Sequence, residues 1–471
     1  MSTATNETPQ LLESCFEALG GKQGAGHGLF YGKTSLDSLE WLQTPGLWGK
    51  SPSDNCYWTQ ETLPPCSQRL LDAIAEIIQD AHSHLDIAAL EPFADGPFEK
   101  MLAASLSKLG CTGREVTVRI LYGSHPFTTE TPEKLEGWMS RITSSIDCNS
   151  RLHITAGRMA SFKEGLKCSF NHAKIVAADG RKVVLGGHNF WSADYFAFGP
   201  AHDLSASIEG EAPIRAHLYL NHLWAWIGEN TQKTKPEAAS FTVGWEKGRL
   251  TPGAMAKPAP EFPSRTGKIP ALFLSRYGTG IFPESSNPNL AIRGAVAAFR
   301  AAQRSIFISH MDLAFHYKGI SYWPDVVFVA LADALTDPAR QLDIRVVLSQ
   351  PEGRSGSGGI YSWGETLDGV LQKLRSVVGA RPLSGSFRLA PIRFSFLGDV
   401  WQDGDRVCKI TNHSKTWVVD ESLFYIGSDN LYPHNLQEFG YVIQSEALVA
   451  RWMAYYWLRL WQYSSPATLR L

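Results

Sequence analysis

The chain carries the stretch NHAK at residues 171–174 and a close copy, NHSK, at residues 412–415. Each continues to an aspartate seven residues after its histidine, which is Asp179 in the first copy and Asp420 in the second. The pattern H-x-K-x4-D therefore occurs twice. One copy would be a weak signal, whereas two copies that share a further continuation indicate an internal duplication.

The shared continuation is a glycine fourteen residues after each histidine, Gly186 and Gly427, and an asparagine seventeen residues after it, Asn189 and Asn430. A glycine lets the backbone approach a ligand closely, and an asparagine amide supplies a hydrogen-bond donor. We therefore expect the two asparagines to bind the same ligand as the two motifs.

Alternate side chains of a strand share one face, so the histidine and lysine of each motif are predicted to project together. The pattern predicts strands over 170–178 and 182–185 in the first copy, and over 408–419 and 423–426 in the second. Each copy then offers an imidazole, an ammonium and an amide from one sheet edge. Two copies brought face to face would surround a phosphate.

The rest of the chain repeats an order of helix, strand, helix and strand before each motif. The predicted elements are 67–82, 85–90, 98–109 and 116–122 in the first half, and 290–303, 305–312, 326–335 and 342–349 in the second. Such alternation is typical of an α/β fold, with a mostly parallel or mixed sheet between helices in each half.

These elements give four predicted regions. Residues 1–65 are expected to form an irregular segment packed on the first lobe, 66–232 the first lobe, 233–288 a proline-rich connection, and 289–471 the second lobe. The glycine-rich stretch 353–364 is either a gate over the site or a plain surface loop.

Composition narrows the class of protein. With 471 residues, 44% hydrophobic and 19% charged, the chain reads as a globular protein. Its formal charge of −2 gives no general attraction to nucleic acid, so no stable nucleic-acid partner is expected. The seven cysteines include no C-x-x-C pair, which argues against a zinc site. Cys56 and Cys66 could pair, although reduced thiols are the simpler interpretation.

The N-terminus is polar and shows no secretory signal, and no apolar run reaches the roughly 18 residues needed to cross a bilayer. The sequence therefore predicts a protein that is cytoplasmic or peripheral to a membrane, unless it is exported by another route or truncated.

The duplicated motif with its glycine and asparagine resembles the phospholipase D superfamily, and the resemblance covers both halves. The stretches 42–49, 84–93 and 426–441 resemble the secreted actinobacterial type in particular. The resemblance implies two homologous α-β-α sandwich lobes related by a pseudo-two-fold axis, with one active site at their interface. It also implies a phospholipid substrate at a membrane or micelle surface, transfer to alcohols as well as hydrolysis, and no metal or cofactor. We expect a monomer.

The motif residues suit phosphodiester cleavage. Lys174 and Lys415, together with the two asparagines, can place positive charge and donors around the phosphoryl oxygens. One neutral imidazole can attack phosphorus while the other, protonated, donates to the leaving alcohol. The resemblance assigns the nucleophile to His172 and the general acid and base to His413, through a covalent phosphohistidine.

Carboxylates are needed to orient the two rings. The resemblance gives Asp203 as the partner of the first histidine and Glu438 as the partner of the second, where relatives carry the shorter aspartate. Asp179 and Asp420 lie at turns and are expected to hold strand ends. His434 has no counterpart in the first copy and is interpreted as a rim residue near the head group.

Two other enzyme classes and one non-enzymatic reading compete with phospholipid hydrolysis. A phosphodiesterase of the same superfamily acting on nucleic acid would be expected to show a basic stripe, which the sequence lacks. A phosphatidyltransferase that makes phospholipid stays open. A catalytically inactive scaffold would need a lost motif residue, and both motifs are complete.

Overall fold

In this computed structural model, the described residues are 11–24, 28–51, 62–124, 130–159, 161–162, 168–230, 240–278, 289–317, 320–349 and 365–471. Cys56 and the glycine-rich stretch 353–364 lie outside the described residues.

The first half alternates helices and strands as the sequence predicts. In chain order its elements are α1 (Leu11–Ala18), β1 (Tyr31–Thr44), α2 (Pro65–Gln79), β2 (His84–Leu90), α3 (Gly96–Gly110), β3 (Val116–Gly123), α4 (Pro132–Thr143), β4 (Leu152–Met159), β5 (Ser161–Phe162), β6 (Cys168–Ser169), β7 (Ile175–Ala178), β8 (Lys182–Gly186), α5 (Ser192–Tyr195), β9 (Asp203–Gly210) and α6 (Ala212–Asn230).

The second half repeats that order with small additions. Its elements are β10 (Phe241–Glu246), β11 (Arg249–Pro252), β12 (Ile269–Arg276), α7 (Leu290–Ala301), β13 (Ser305–His310), β14 (Phe315–Tyr317), β15 (Ile320–Tyr322), α8 (Asp325–Thr336), β16 (Asp343–Leu348), α9 (Leu367–Val378), β17 (Ser386–Pro391), β18 (Val400–Asp403), β19 (Arg406–Lys409), β20 (Lys415–Val419), β21 (Leu423–Gly427), β22 (Glu438–Gln444), α10 (Glu446–Trp452), α11 (Leu458–Ser464) and β23 (Leu469–Arg470).

Strand pairing shows the duplication directly. The first lobe has the order β4-β3-β2-β7-β8-β9, with the first two pairings parallel and the others antiparallel. The second lobe has the matching order β17-β16-β13-β20-β21-β22 with the same directions. This arrangement confirms the predicted α/β fold of two homologous lobes.

Both faces of the lobe sheets are buried. Along β2, the side chain of Ile87 packs into a cluster with α2, α3 and α4, while the neighbouring Ala88 belongs to the cluster that contains α6. A strand covered on both faces reads as a continuous apolar run instead of an alternating one. Among the described helices, none combines the length and apolarity that a membrane span requires.

The expected irregular segment at residues 1–65 is corrected by the structure. Strand β1 lies inside the sheet, where it pairs with β9 of the first lobe and with β12, which in turn pairs with β22. Helix α1 packs on α7 of the second lobe, so this segment joins both lobes. The strand was hidden in the sequence because its register shifts between Leu36 and Ser38, which breaks the two-residue period.

The expected connection at residues 233–288 is corrected in the same way. It contains β10 and β11, which extend the edge of the first lobe beside β4, and β12, which is the structural counterpart of β1. Each lobe sheet therefore includes a strand that lies before the predicted start of that lobe. The sequence did not predict β12 because Pro270 and the surrounding prolines conceal the strand pattern.

Candidate active site

The two motif segments lie where the lobes meet. The predicted strands over 170–178 and 408–419 begin too early, since β7 starts at Ile175 and β20 at Lys415. The residues before each strand pair instead with the other lobe. The backbone N–H of His172 donates to the carbonyl of Gln437 at 2.9 Å, and that of His413 donates to the carbonyl of His202 at 2.7 Å.

This backbone pairing gives each histidine a carboxylate from the opposite lobe. Nδ1 of His172 lies 2.8 Å from Oε1 of Glu438, and Nδ1 of His413 lies 2.7 Å from Oδ2 of Asp203. The pairing expected from the sequence is therefore wrong, because the two carboxylates are exchanged. The reason is geometric: each carboxylate follows the residue, Gln437 or His202, that bridges to the motif of the other lobe.

The carboxylates fix the orientation of the rings, because a partner at Nδ1 selects the tautomer and leaves Nε2 for the reacting group. All four side chains are buried. Burial raises the pKa of Asp203 to about 7, with Lys415 acting in the opposite direction. Burial and then the charges of the two motif lysines hold the pKa of His413 well below its usual range.

The two motif lysines are also buried, and each donates through Nζ to the carbonyl of its own motif histidine. Burial lowers the pKa of Lys415 to about 8. Burial likewise lowers the pKa of Lys174, and the ammonium of Lys415 lowers it further. Because the charge of Lys415 disfavours the charged form of Lys174, an anion bound beside both would stabilise the two ammonium groups.

Comparison with known proteins agrees with this geometry. No family model matches the chain. The phospholipase D of Streptomyces antibioticus is 29% identical over 488 residues, which cover 92% of this chain and 82% of that protein. Over most of its length the chain is thus similar to a phospholipase D.

A solved structure has a similar fold. Phosphatidylserine synthase from Haemophilus influenzae Rd KW20 matches 99% of this chain and 92% of its own, with a TM-score of 0.59 and 12% sequence identity. At that identity the likeness concerns the fold alone.

The glycines that follow the two motifs, Gly186 and Gly427, pack against neighbouring strands. A Cβ atom on Gly186 would lie 2.4 Å from Cα of Ser205 on β9, and one on Gly427 would lie 2.7 Å from Cα of Gly440 on β22. The close approach expected toward a ligand is thus made toward the backbone of the adjacent strand. Asn189 and Asn430, three residues after these glycines, are both buried.

The motif aspartates lie away from the histidines, at the turns that follow β7 and β20. Asp179 accepts hydrogen bonds from the backbone N–H groups of residues 82–84 at 2.7–2.9 Å. Asp420 accepts the same three bonds from residues 303–305, at 2.7–2.9 Å. In both places the carboxylate ties the turn to the residues at the start of β2 or β13.

Sequence reasoning missed Tyr195. Its hydroxyl donates to Oδ2 of Asp203 at 2.9 Å, lies 3.4 Å from Nδ1 of His413, and accepts the backbone N–H of Asn189 at 3.2 Å. It therefore links a phosphate-binding candidate to the carboxylate of the other motif. The sequence does place a tyrosine six residues after the motif asparagine of the first copy. The second copy has no tyrosine at that spacing, so the comparison of the two copies does not reveal it.

Two groups of His, Asp and Glu side chains bring ligand-type atoms within 4.8 Å of one another in the described part of the chain. One is His84, Asp86 and His217, where Arg119 donates to both oxygens of Asp86. The other is Asp429, His434 and Glu438, beside Arg276. Each group already contains an arginine that balances a carboxylate, so we interpret both as hydrogen-bonded charge clusters.

Proposed function

We propose that this protein is a phospholipase D. It hydrolyses the distal phosphodiester bond of glycerophospholipids to phosphatidic acid and a free head group, and it transfers the phosphatidyl group to alcohols. The observation that carries this proposal is the pair of buried histidines, each bonded through Nδ1 to a carboxylate of the other lobe. Similarity to the phospholipase D of Streptomyces antibioticus over most of both chains supports the substrate class.

The substrate phosphate binds between the two motif lysines. A phosphodiester monoanion placed there offsets the repulsion between their charges and restores the usual ammonium state of Lys174 and Lys415. The amides of Asn189 and Asn430, both buried, donate to the phosphoryl oxygens. Charge that develops on those oxygens in the transition state meets donors that are already fixed in place.

In the first step His172 acts as the nucleophile. Its Nε2 attacks phosphorus, the bond from phosphorus to the head-group oxygen breaks, and a phosphohistidine forms. Glu438 accepts the Nδ1–H hydrogen bond and stabilises the positive charge that the ring then carries. The negative charge of the bound phosphate offsets the lysine charges that lower the pKa of His413 and so favours its protonated form. His413 donates this proton to the departing alcohol oxygen, so that no free alkoxide forms.

In the second step His413 acts as the base. It takes a proton from water, or from an acceptor alcohol, whose oxygen attacks phosphorus and displaces Nε2 of His172. Water yields phosphatidic acid, and an alcohol yields a new phospholipid. Since each lobe supplies one histidine, a single chain holds one complete site.

The test is a panel of short-chain phosphatidylcholine, -ethanolamine, -serine and -glycerol, with and without ethanol. We expect release of free head group, and formation of phosphatidylethanol when ethanol is present. An oligonucleotide assayed in parallel should remain intact. Cleavage of the oligonucleotide without release of any head group would refute the proposal.

A further inference from the structure

The pseudo-two-fold axis matches two positions around the two carboxylates, but the charges of the matched residues differ. Asp203 pairs in register with Thr44 at the end of β1, and Glu438 pairs in register with Arg276 at the end of β12. The residue sixteen positions after each motif histidine is His188 in the first copy and Asp429 in the second. The backbone is therefore duplicated while the electrostatics differ.

Around Asp203 the matched positions are neutral. His188 is buried between Oγ1 of Thr44, at 2.9 Å, and Oγ of Ser205, at 2.7 Å. Burial holds the pKa of His188 well below its usual range, so the ring carries no charge near neutral pH. This side of the site contributes hydrogen bonds but no additional charge next to the carboxylate.

Around Glu438 the matched positions are charged and enclose a histidine that the first lobe lacks. Nε2 of His434 lies 2.9 Å from Oδ1 of Asp429, and Nδ1 of His434 lies 3.4 Å from Nη1 of Arg276. The same Nη1 lies 3.6 Å from Oδ1 of Asp429. These three side chains form a closed cluster, which we call the Asp429 cluster.

The contacts indicate the protonation state of His434. A carboxylate can only accept, so Nε2 of His434, which lies 2.9 Å from Oδ1 of Asp429, carries a proton. Nη1 of Arg276 lies 3.4 Å from both ring nitrogens. Burial and then Arg276 lower the pKa of His434, which favours the neutral ring with its proton on Nε2. Oδ2 of Asp429 is buried without a hydrogen-bond partner among the described residues.

The Asp429 cluster reaches the nucleophile through one carboxylate oxygen. Nε2 of His434 lies 3.7 Å from Oε1 of Glu438, and that same oxygen is 2.8 Å from Nδ1 of His172. Burial and, next, Asp429 raise the pKa of Glu438 well above its usual range, while Lys174, Ser428 and Arg276 act in the opposite direction. The other titratable groups that face Glu438 are Lys415, Tyr219, Tyr425 and Tyr432.

We propose that Asp429, His434 and Arg276 are positioning residues that set the pH at which the His172–Glu438 pair releases its proton and His172 becomes nucleophilic. This inference rests on the proposed function in that it takes His172 as the nucleophile. It assigns a role to a cluster that exists on one side of the pseudo-two-fold axis only.

The sign of each substitution follows from charge. Asp429→Asn removes a negative charge that raises the pKa of Glu438, so the pair loses its proton at lower pH. The acid limb of the pH profile of kcat/KM should move down by about one pH unit. Arg276→Gln removes a positive charge that lowers the same pKa, so the acid limb should move up by about as much. A merely structural role would lower the rate of both variants without moving the limb in opposite directions.

The experiment measures kcat/KM against pH with a soluble p-nitrophenyl phosphodiester, whose acidic leaving group reduces the contribution of His413. Asp399→Asn is the matched control, since Asp399 is a half-exposed carboxylate of the second lobe that faces Arg393 and Lys409. Its profile should equal that of the unmodified protein. Asp429→Glu, which restores the charge, should return the limb toward its original position.

A second readout does not need turnover. With ring-13C-labelled histidine, the titration of His172 is followed by NMR in the unmodified protein and in both variants, with His172→Ala to assign the signal. If the pH at which His172 titrates moves in opposite directions in the two variants, the proposal is supported. If it does not move, or moves in the same direction in both folded variants, the proposal is overturned. If Asp429→Asn does not fold, the test rests on Arg276→Gln, in which His172 should titrate at higher pH than in the unmodified protein. Absence of turnover in the unmodified protein would count against the proposed function alone, because the titration still reports on the cluster.

Discussion

Because each carboxylate contacts the histidine of the other lobe, substitution of either carboxylate should affect the role of one histidine only. Asp203→Asn weakens the support of His413, the acid, whereas Glu438→Gln weakens the support of His172, the nucleophile. Each contact joins Nδ1 to a carboxylate oxygen at 2.7 or 2.8 Å in a buried place. A charge on the ring, about 4 Å from the centre of the carboxylate, is worth about 4 kcal/mol at an effective dielectric constant of about 20, or roughly 10³ in rate.

The two losses should depend differently on the leaving group. Choline is a poor leaving group and needs the proton from His413, so Asp203→Asn should lower kcat/KM on phosphatidylcholine by about 10² to 10³. On a p-nitrophenyl phosphodiester, which needs little protonation, the same variant should lose about tenfold or less. Glu438→Gln should lower the rate on both substrates by a similar factor, because the attack itself is impaired.

The assay compares both variants with both substrates, with circular dichroism to confirm that each variant is folded. The opposite pattern, in which Glu438→Gln shows the leaving-group dependence and Asp203→Asn does not, would refute the crossed pairing or the assignment of the nucleophile. Equal losses for all four combinations would show that the carboxylates do not act through separate histidines.

Three further outcomes are expected. His413→Ala should still release one equivalent of p-nitrophenol and leave acid-labile phosphate on the peptide that contains His172, whereas phosphate on His413 in the His172→Ala protein would reverse the assignment. EDTA should leave turnover of a monomeric short-chain substrate intact, because lysines and asparagines surround the site, and a loss that Ca²⁺ or Mg²⁺ restores would contradict this. The affinity for a non-hydrolysable phosphonate anion should be constant below about pH 8 and fall above it, since burial lowers the pKa of Lys415 to about 8 and a bound anion raises it. Calorimetry in buffers of different ionisation enthalpy would detect the proton that the protein takes up when the anion binds.

The sequence by itself determined the chemistry of the site and the class of the fold. The side chains of His172, Lys174 and their second copies were identifiable because a short motif with fixed spacing was present twice. The order of helices and strands was readable because periodic burial is encoded locally, within each element. Even the position of Asp179 and Asp420 at turns followed from the residues next to them.

Only the tertiary structure decided how these parts meet. Strands β1 and β12 join the lobes, yet a shifted register and prolines weaken their local pattern. Asp203 and Glu438 exchange partners because His202 and Gln437 pair with motif segments that lie more than 200 residues away in the chain. The charged cluster likewise joins Asp429 and His434, in the loop between β21 and β22, to Arg276 at the end of β12, more than 150 residues away in the chain. Such contacts depend on long-range backbone pairing, which composition and periodicity do not record.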